Sequence, residues 1–500
     1  MGKYSVPEEI RAMKPRGTCV KNIKGHYYVY EQKNIQDEYG NWHRKSGACI
    51  GKIEYGLGFV SNEVKYYDDR ITTLEYGQYA ITLANTQQVL DRLLRFFEKE
   101  DAYRIYILSV VHFVNTFQHR KSVNDYVEQS FLSILYPSLK FGDESVSRLV
   151  DTLGRRQERV QGFEQSLVDQ SSGKMAVDGH VIKCCSHQND TAAYGNKYRQ
   201  IKDMQMNILM AYDVESSLPL FSRIYEGGTL DKSSIKDLLG TLCFQNILFI
   251  VDRGFYSTEN IKLFSADGNK YIIPLSENLK VYKDVTTDMN LDETFIYEKN
   301  KKKTAIQYTE KQTDGKRVLV FRDSIQNAVE ADSYRKSIGT RKDCTAEKYE
   351  KLKDFFGLIV LQTNLDSPAP EIFSGYKKRW NIETFYNYFK NDVNFNALYE
   401  RDYYKLEGMS FIMLITSLIY EQMNKAVHSI KNKNVEDCII ESRMVKIHYG
   451  KQGWVRTNMK KSLQELFSRL NVDYTLPITQ LQNQNNFVYL TFGKVVIIKK

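Results

Sequence analysis

The chain has 500 residues, of which 42% are hydrophobic and 26% are charged, and its formal net charge is +9. This length predicts several domains. There is no run of about 20 apolar residues, no apolar signal segment at the N-terminus and no CxxC among the seven cysteines. We therefore expect a soluble, intracellular chain with free thiols rather than a membrane or secreted protein.

The first predicted segment, residues 1–80, is a small β-hairpin module. Residues 27–30 and 50–55 alternate in the manner of strands, and turn-forming residues lie between them at 38–41.

Residues 81–170 are predicted to be helical. Apolar residues recur at helical spacing between Val89 and Phe97, and further helices are expected at 102–116, 122–135 and 143–154. The last begins at a cap-like Asp or Ser and ends at Gly154. We predict that this module binds DNA through helix-turn-helix geometry, with a purely structural bundle as the alternative.

Residues 171–280 are predicted to start an α/β core. The strand-like stretch 174–183 contains Asp178, followed by glycine, and the apolar run 208–213 ends at Asp213. Either aspartate is a candidate for a site at the end of a strand. Residues 218–226 predict a further strand.

A second acidic position follows a longer apolar run. Residues 246–252 are apolar until Asp252, which is typical of a strand buried on both faces. Gly254 permits a sharp turn, and Ser257 or Thr258 can cap a following helix. Residues 270–275 predict the neighbouring strand. Taken alone, a strand-terminal Asp is most often a turn former or a helix cap.

Residues 281–355 are polar and hairpin-like, which predicts a β-rich insertion. The core resumes over 356–425 with a strand at 356–363 and a buried helix at 409–420. Residues 426–500 are predicted to be a basic C-terminal module. From residue 422 onward there are ten Lys and three Arg against two Asp and three Glu, a net charge of +8. This suits a polyanionic partner, or else a solvated basic surface.

The spacing of Tyr376, Arg379, Glu383 and Lys390 is the most informative pattern in the chain. At about 100° per residue, these side chains fall within roughly 60° of one face of a helix. Such a stripe could bind a metal through its acid and phosphates through its cations and phenol. Taken singly, Tyr376 could be a core aromatic, and Arg379 with Glu383 an ordinary helix ion pair.

The pattern Tyr-x2-Arg-x3-Glu-x6-Lys resembles the signature of the insertion-sequence family four DDE transposases, which are bacterial cut-and-paste enzymes. The Asp-Arg-Gly-Phe sequence at Asp252 also looks like this family, as does the opening at residues 14–23. The resemblance implies an RNase H-like core in which the first acid precedes two further strands and the second acid follows the fourth. That order favours Asp178 over Asp213.

The resemblance also implies a mechanism. Asp178, Asp252 and Glu383 would be catalytic and would hold two Mg²⁺ or Mn²⁺ ions, which prefer oxygen ligands. Tyr376, Arg379 and Lys390 would contact DNA phosphates. The family's insertion often supplies a Trp that stacks on a flipped base. None of the three Trp residues lies in this insertion, so the role is either absent or passes to an aromatic residue there (Tyr282, Phe295, Tyr297 or Tyr308).

The expected function is to bind the terminal inverted repeats of an insertion sequence, cut the DNA ends and join them to target DNA. The partners would be double-stranded DNA and a second copy of the chain, in the bacterial cytoplasm at the nucleoid. Two alternatives remain: a catalytically inactive, domesticated DNA-binding protein, and an RNase H-like nuclease without strand transfer.

Overall fold

The computed structural model describes residues 6–54, 58–61, 73–115, 122–184, 193–194, 204–226, 231–287, 289–299, 301–313, 315–379, 397–398, 402–450, 453–473, 488–491 and 494–497. The chain divides into two compact units. The small unit comprises Met1–Tyr76, Val445–Asn458 and Pro477–Asn483, and the large unit comprises Gly77–Met444, Met459–Leu476 and Gln484–Lys500. The segment boundaries predicted from the sequence stay a prediction.

The small unit contains two antiparallel sheets. A short helix, Glu8–Ala12 (α1), precedes a four-stranded sheet in chain order: Thr18–Ile23 (β1), His26–Gln36 (β2), Trp42–Glu54 (β3) and Gly58–Ser61 (β4). The predicted hairpin is confirmed, since β2 pairs with β3 around the turn. The second sheet consists of Thr73–Glu75 (β5), Lys446–Gly450 (β17) and Gly453–Arg456 (β18), with β17 in the centre.

The large unit opens with six helices in the described part of this stretch: Gly77–Phe96 (α2), Lys99–Asn115 (α3), Val123–Glu128 (α4), Leu132–Leu135 (α5), Asp143–Arg155 (α6) and Gln157–Asp169 (α7). α3 is buried on nearly every side between Ala102 and Val114. A helix that is apolar all round belongs to a core. This burial favours the structural-bundle alternative for the segment, and its DNA-binding role stays a prediction.

Among the described residues, the main sheet of the large unit has eleven strands: Lys174–Cys184 (β6), Ala193–Tyr194 (β7), Met204–Asp213 (β8), Leu218–Glu226 (β9), Leu248–Val251 (β10), Lys270–Pro274 (β11), Glu293–Lys299 (β12), Lys302–Thr313 (β13), Lys316–Asp323 (β14), Leu358–Thr363 (β15) and Ala397–Leu398 (β16). β6, β8 and β9 pair antiparallel, whereas β10 runs parallel to both β6 and β11. These pairings confirm the α/β class and the five strands predicted for the first part of the core.

The described residues of the large unit contain nine further helices: Asp231–Thr241 (α8), Thr258–Phe264 (α9), Lys280–Thr286 (α10), Ser324–Ser337 (α11), Ala346–Leu352 (α12), Ala369–Lys378 (α13), Tyr403–Val427 (α14), Val435–Ser442 (α15) and Lys461–Arg469 (α16). Short 3₁₀ turns occur at Arg253–Phe255, Ala266–Gly268 and Lys353–Phe355, and Val488–Thr491 (β19) pairs with Lys494–Ile497 (β20). In the described part of the chain, no helix combines the length and apolarity that a bilayer span requires.

The insertion differs from its prediction in two respects. Residues 281–283, the start of the hairpin-like pattern, lie in helix α10, because Tyr282 and Val285 face the core at helical spacing. Helices α11 and α12 follow the three strands, so the segment is mixed rather than purely β-rich. Its strands extend the main sheet, since β14 pairs antiparallel with β15 and β15 with β11.

Helix α14 is the central packing element of the large unit, and it contacts α2, α3, α6 and β9. Its crossing with α6 depends on two glycines. A Cβ at Gly154 would lie 1.7 Å from the Tyr404 carbonyl oxygen, and one at Gly408 would lie 2.0 Å from that of Val150. The sequence predicts a helix end at Gly154, and α6 ends one residue later, at Arg155. The absence of a side chain at Gly154 also lets the two backbones approach.

Candidate active site

Asp178 and Asp252 occupy matching positions on neighbouring parallel strands. The register of β6 and β10 pairs Lys174 with Leu248 and continues to Val177 with Val251. Asp178 and Asp252 are the next residues on each chain. Since adjacent strands lie about 4.8 Å apart and side chains alternate between faces, the two carboxylates leave the same face of the sheet as neighbours.

The two aspartates differ in their local structure. Asp252 immediately follows β10 and caps a 3₁₀ turn, where its Oδ1 accepts a hydrogen bond of 2.8 Å from the Arg253 amide. Ser257 then caps α9 through the Asn260 amide, as predicted. Asp178 lies within β6 rather than at its end, which corrects the strand-end prediction. The parallel pairing with β10 nevertheless stops one residue before it.

Apolar residues neighbour the two aspartates on their face of the sheet. Ala176 and Ile250, two residues earlier on each strand, belong to a buried cluster with Leu406 and Met413 of α14. Met210 of β8 lies directly opposite Asp178 and belongs to the same cluster. Asp178 and Asp252 are themselves half-buried. They therefore lie at the boundary between the buried apolar part of this face and its solvent-exposed part.

Asp213, the rival first acid, has a structural role. It pairs with Met175, three residues before Asp178, and is fully buried. Its carboxylate accepts hydrogen bonds from Ser172, Ser216 and the Glu215 amide. Burial alone would raise the pKa of Asp213, but these hydrogen bonds outweigh it and the pKa lies below its ordinary value. Asp213 fixes the turn between β8 and β9.

The structure describes only the first half of the predicted helix stripe. Tyr376, in α13, packs half-buried against the apolar clusters on both sides of it, as a core aromatic would. Arg379 is the residue that follows α13, and its guanidinium lies 5.7 Å from the centre of the Tyr376 ring. Glu383 and Lys390 lie outside the described residues.

Residues on either side of Glu383 are linked to opposite ends of β6, one through Glu215 and the other by direct pairing. Lys378 binds Glu215 at 2.7 Å, and Glu215 also binds Lys174, the first residue of β6, at 3.0 Å. These two lysines lower the pKa of Glu215, with Lys378 the larger cause. Ala397, on the other side, pairs with Lys183 near the end of β6. Asp178 lies between these contacts along the strand. The sequence reasoning missed this ion bridge, whose signal was the basic run at 377–379.

The four aromatic side chains suggested for base stacking are engaged within the fold. Tyr282 is only 7% exposed. The other three are half-buried and pack against the cluster around Phe321 and Phe373 (Phe295, Tyr297 and Tyr308). In the described part of the insertion, their rings serve as core.

The described residues include two of the three predicted ligands of a divalent cation site, Asp178 and Asp252. Carboxylate oxygens are the donors that Mg²⁺ and Mn²⁺ prefer, and two of them leave adjacent strands at one level of the sheet. Within the described residues, no group of three His, Cys, Asp or Glu side chains comes together. Glu383, the third predicted ligand, falls outside that part of the chain.

A match to a protein-family model identifies the family of this chain. The family described as "Transposase DDE domain" matches residues 169–419, a range that contains Asp178, Asp252 and Glu383. The chain also aligns with a cryo-EM structure of a piggyBac transposase synaptic complex with hairpin DNA. That alignment has a TM-score of 0.40 and 11% sequence identity, and covers 74% of this chain and 80% of the other. No curated protein matches the sequence. Because the family match spans half of the chain, the protein belongs to the DDE transposases.

Proposed function

We propose that this transposase binds the terminal inverted repeats of its own insertion sequence, cuts the DNA at those ends and joins them to target DNA. The observation that carries the proposal is the matched position of Asp178 and Asp252 on parallel strands, inside the region that matches the family. A protein that kept the fold only for DNA binding would have no need of two carboxylates at one level of the sheet.

We infer that the catalytic core is RNase H-like. The strand order β9-β8-β6-β10-β11 places three antiparallel strands beside two parallel ones, with the acids on the first and fourth strands in chain order. This agrees with the order expected from the resemblance. The assignment of Glu383 as the third acid rests on the resemblance and on its place inside the region that matches the family.

In this mechanism Asp178, Asp252 and Glu383 hold two divalent cations, and the protein supplies no nucleophile of its own. The bound cations would activate a water or a DNA 3′ hydroxyl and stabilise the leaving oxygen of an in-line displacement at phosphorus. Arg379 and Lys390 would hold phosphate oxygens beside the cut, Arg379 through its forked guanidinium. The half-buried position of the aspartates limits the water around them, which strengthens each electrostatic contact.

Two partners follow from this proposal. Cut-and-paste chemistry must hold two DNA ends together, so we propose a dimer when the ends are bound. The substrate DNA also places the protein with the chromosome, in the cytoplasm of a bacterium.

The test is to remove each acid without changing its shape. Asp178→Asn, Asp252→Asn and Glu383→Gln should each abolish Mg²⁺-dependent cleavage of a duplex that carries the DNA flanking the gene. Each should also weaken Mn²⁺ binding, measured by calorimetry without DNA. Asp267→Asn is the control, because Asp267 is an exposed acid with a left-handed backbone that Asn tolerates. Normal cleavage by the Asp252 variant would refute the site, and cutting without joining by the wild type would favour the nuclease alternative.

A further inference from the structure

Among the described residues, the β2–β3 hairpin of the small unit extends beyond its neighbouring strands. In that part of the chain, β1 pairs with β2 only up to Glu31, and β4 pairs with β3 only from Gly51 onward. The five pairs from Gln32 with Ser46 to Gln36 with Trp42 form a two-stranded ribbon, about 17 Å long at 3.4 Å per residue. We call residues 32–46 the arm. Residues 33–36 and 42–45 are all exposed, so both faces of the arm meet solvent.

The arm carries side chains that cost stability in an isolated ribbon. Trp42 is 69% exposed, Tyr39 at the turn is 88% exposed, and Ile35 is 45% exposed. Lys33 lies directly opposite Lys45, and like charges in a cross-strand pair repel. A bare two-stranded ribbon is marginal in water. This composition gives the arm little intrinsic stability, which a bound partner would offset.

The turn holds the arm in one shape. The Asp37 carboxylate accepts hydrogen bonds from the amides of Tyr39 and Asn41 and contacts the His43 ring at 2.6 Å. These hydrogen bonds and His43 lower the pKa of Asp37, with His43 the largest cause. Of the two acids of the turn, Asp37 and Glu38, Asp37 thus makes its hydrogen bonds within the arm.

The arm sorts its polar side chains by face. Alternation places Asn34, Gln36 and Arg44 on one face, together with Trp42, and places Lys33 and Lys45 on the other. In the described part of the chain, Arg44 and Lys45 form no hydrogen bond or ion pair with protein groups. The unit around the arm is basic as well: its three segments hold 15 Lys and Arg against 10 Asp and Glu, five of the nine net positive charges of the chain.

We propose that the arm inserts into the major groove of duplex DNA. Asn34, Gln36 and Arg44 would face the base edges, and Lys33 and Lys45 would face the phosphates. The major groove of B-DNA, about 12 Å wide, admits a two-stranded ribbon, and Arg, Asn and Gln are the side chains that pair with its bases. The deep, narrow major groove of duplex RNA does not admit one. This inference rests on the proposed function, which makes DNA the substrate.

The test compares charge-matched variants. The double variant Lys33→Ala with Lys45→Ala removes two arm cations. The double variant Arg148→Ala with Lys336→Ala removes two exposed cations of the large unit, which pair with Glu144 and Asp332 as Lys33 pairs with Glu31. Affinity for a labelled duplex of roughly 30 base pairs, about three helical turns, is measured by anisotropy against salt concentration. The buffer contains EDTA, so cleavage plays no part.

The arm double variant should bind about tenfold more weakly, with a salt slope shallower by about two units, whereas the control should bind as the wild type does. Arg44→Ala should lose the preference for gene-flanking DNA over a scrambled duplex. Tryptophan emission should change when DNA binds the wild type, and Trp42→Phe should remove that change. Melting temperatures confirm that each variant is folded.

Wild-type affinity in both arm variants would overturn the proposal, as would equal losses in arm and control variants or a preference for duplex RNA. A negative result for the arm would not contradict the roles proposed for Asp178, Asp252 and Glu383, because the test of these acids measures metal binding and cleavage. A wild-type chain that bound no duplex DNA would overturn the arm and the proposed function together.

Discussion

Asp213 and Asp178 lie three register positions apart on the same pair of strands, yet their surroundings give them different roles. Asp213 is fully buried and receives hydrogen bonds from the turn, whereas Asp178 is half-buried beside Asp252. From the sequence, both are acids next to apolar runs. The distinction depends on the hydrogen bonds from Ser172, which lies 41 residues before Asp213 in the chain. The pattern of a single strand cannot show such a contact.

Asp213→Asn should therefore reduce stability and spare the chemistry. An amide in place of the carboxylate cannot accept all the hydrogen bonds of the turn, and a lost bond to a buried charged group costs about 1–3 kcal/mol. Urea unfolding measures the loss, and cleavage per folded molecule at low temperature should match that of the wild type. A stable Asp213→Asn protein without cleavage activity would instead return Asp213 to the catalytic set.

Arg379→Ala separates phosphate binding from helix stabilisation. If Arg379 holds a phosphate, the variant should lose affinity for end DNA and its salt slope should become shallower by about one unit. If Arg379 only packs over Tyr376, at 5.7 Å, affinity should persist while the melting temperature falls slightly. Lys390→Ala tests the same stripe, and Mn²⁺ binding should survive in both variants.

Elements were easier to predict than their contacts. The strands at 208–213 and 270–275 were visible as apolar runs, and the hairpin at 26–54 through its turn residues. The helix end at Gly154 was predicted to within one residue, since a glycine at the end of a helical pattern usually marks a C-cap. The pattern does not show that this glycine also lies against the backbone of Tyr404, on a helix far along the chain. Sequence windows contain no information about such crossings.

Replacement of Gly154 by Ala should therefore be strongly destabilising. The added Cβ would meet a backbone oxygen that cannot move aside without separating α6 from α14, and overpacking of this kind costs about 1–3 kcal/mol or more. Gly240→Ala in α8 is the matched control, because a Cβ there meets no atom within 4 Å. Ala is the better helix former by roughly 0.5–1 kcal/mol, so the control should be slightly stabilised. Equal stability of the two variants would contradict this account of the crossing.

At the scale of the whole molecule, one buried cluster in the large unit contains two glutamates and a single arginine. Arg223 of β9 contacts Glu164 of α7 through two hydrogen bonds of 2.8 and 2.6 Å. Glu407 of α14 is the second acid beside this pair, and burial raises its pKa to about 7, although Arg223 opposes the shift. Hydrophobic patterning gave no sign of this group, since a glutamate within an apolar helix reads as an exposed position.

Stability should therefore depend on pH through Glu407. The carboxyl holds its proton more tightly when folded than when unfolded, so its stabilisation is full below about pH 4.5 and is lost as pH rises through 7. Glu407→Gln should remove this component, which amounts to about 3 kcal/mol at most. Unfolding free energies at pH 5 and pH 7.5 measure it, with the exposed Glu259→Gln as control. A pH dependence unchanged by Glu407→Gln would show that the group is ionised throughout.

The position of α14 has a consequence for how the protein is made. Helices α2, α3 and α6 are synthesised before residue 156, but their shared packing partner begins only at Tyr403. At the usual pace of a ribosome, the early helices wait on the order of tens of seconds with apolar faces uncovered. Messages cut short before codon 403 would thus yield aggregation-prone fragments rather than a free-standing N-terminal domain, and cells that express such fragments would depend on chaperones to hold them.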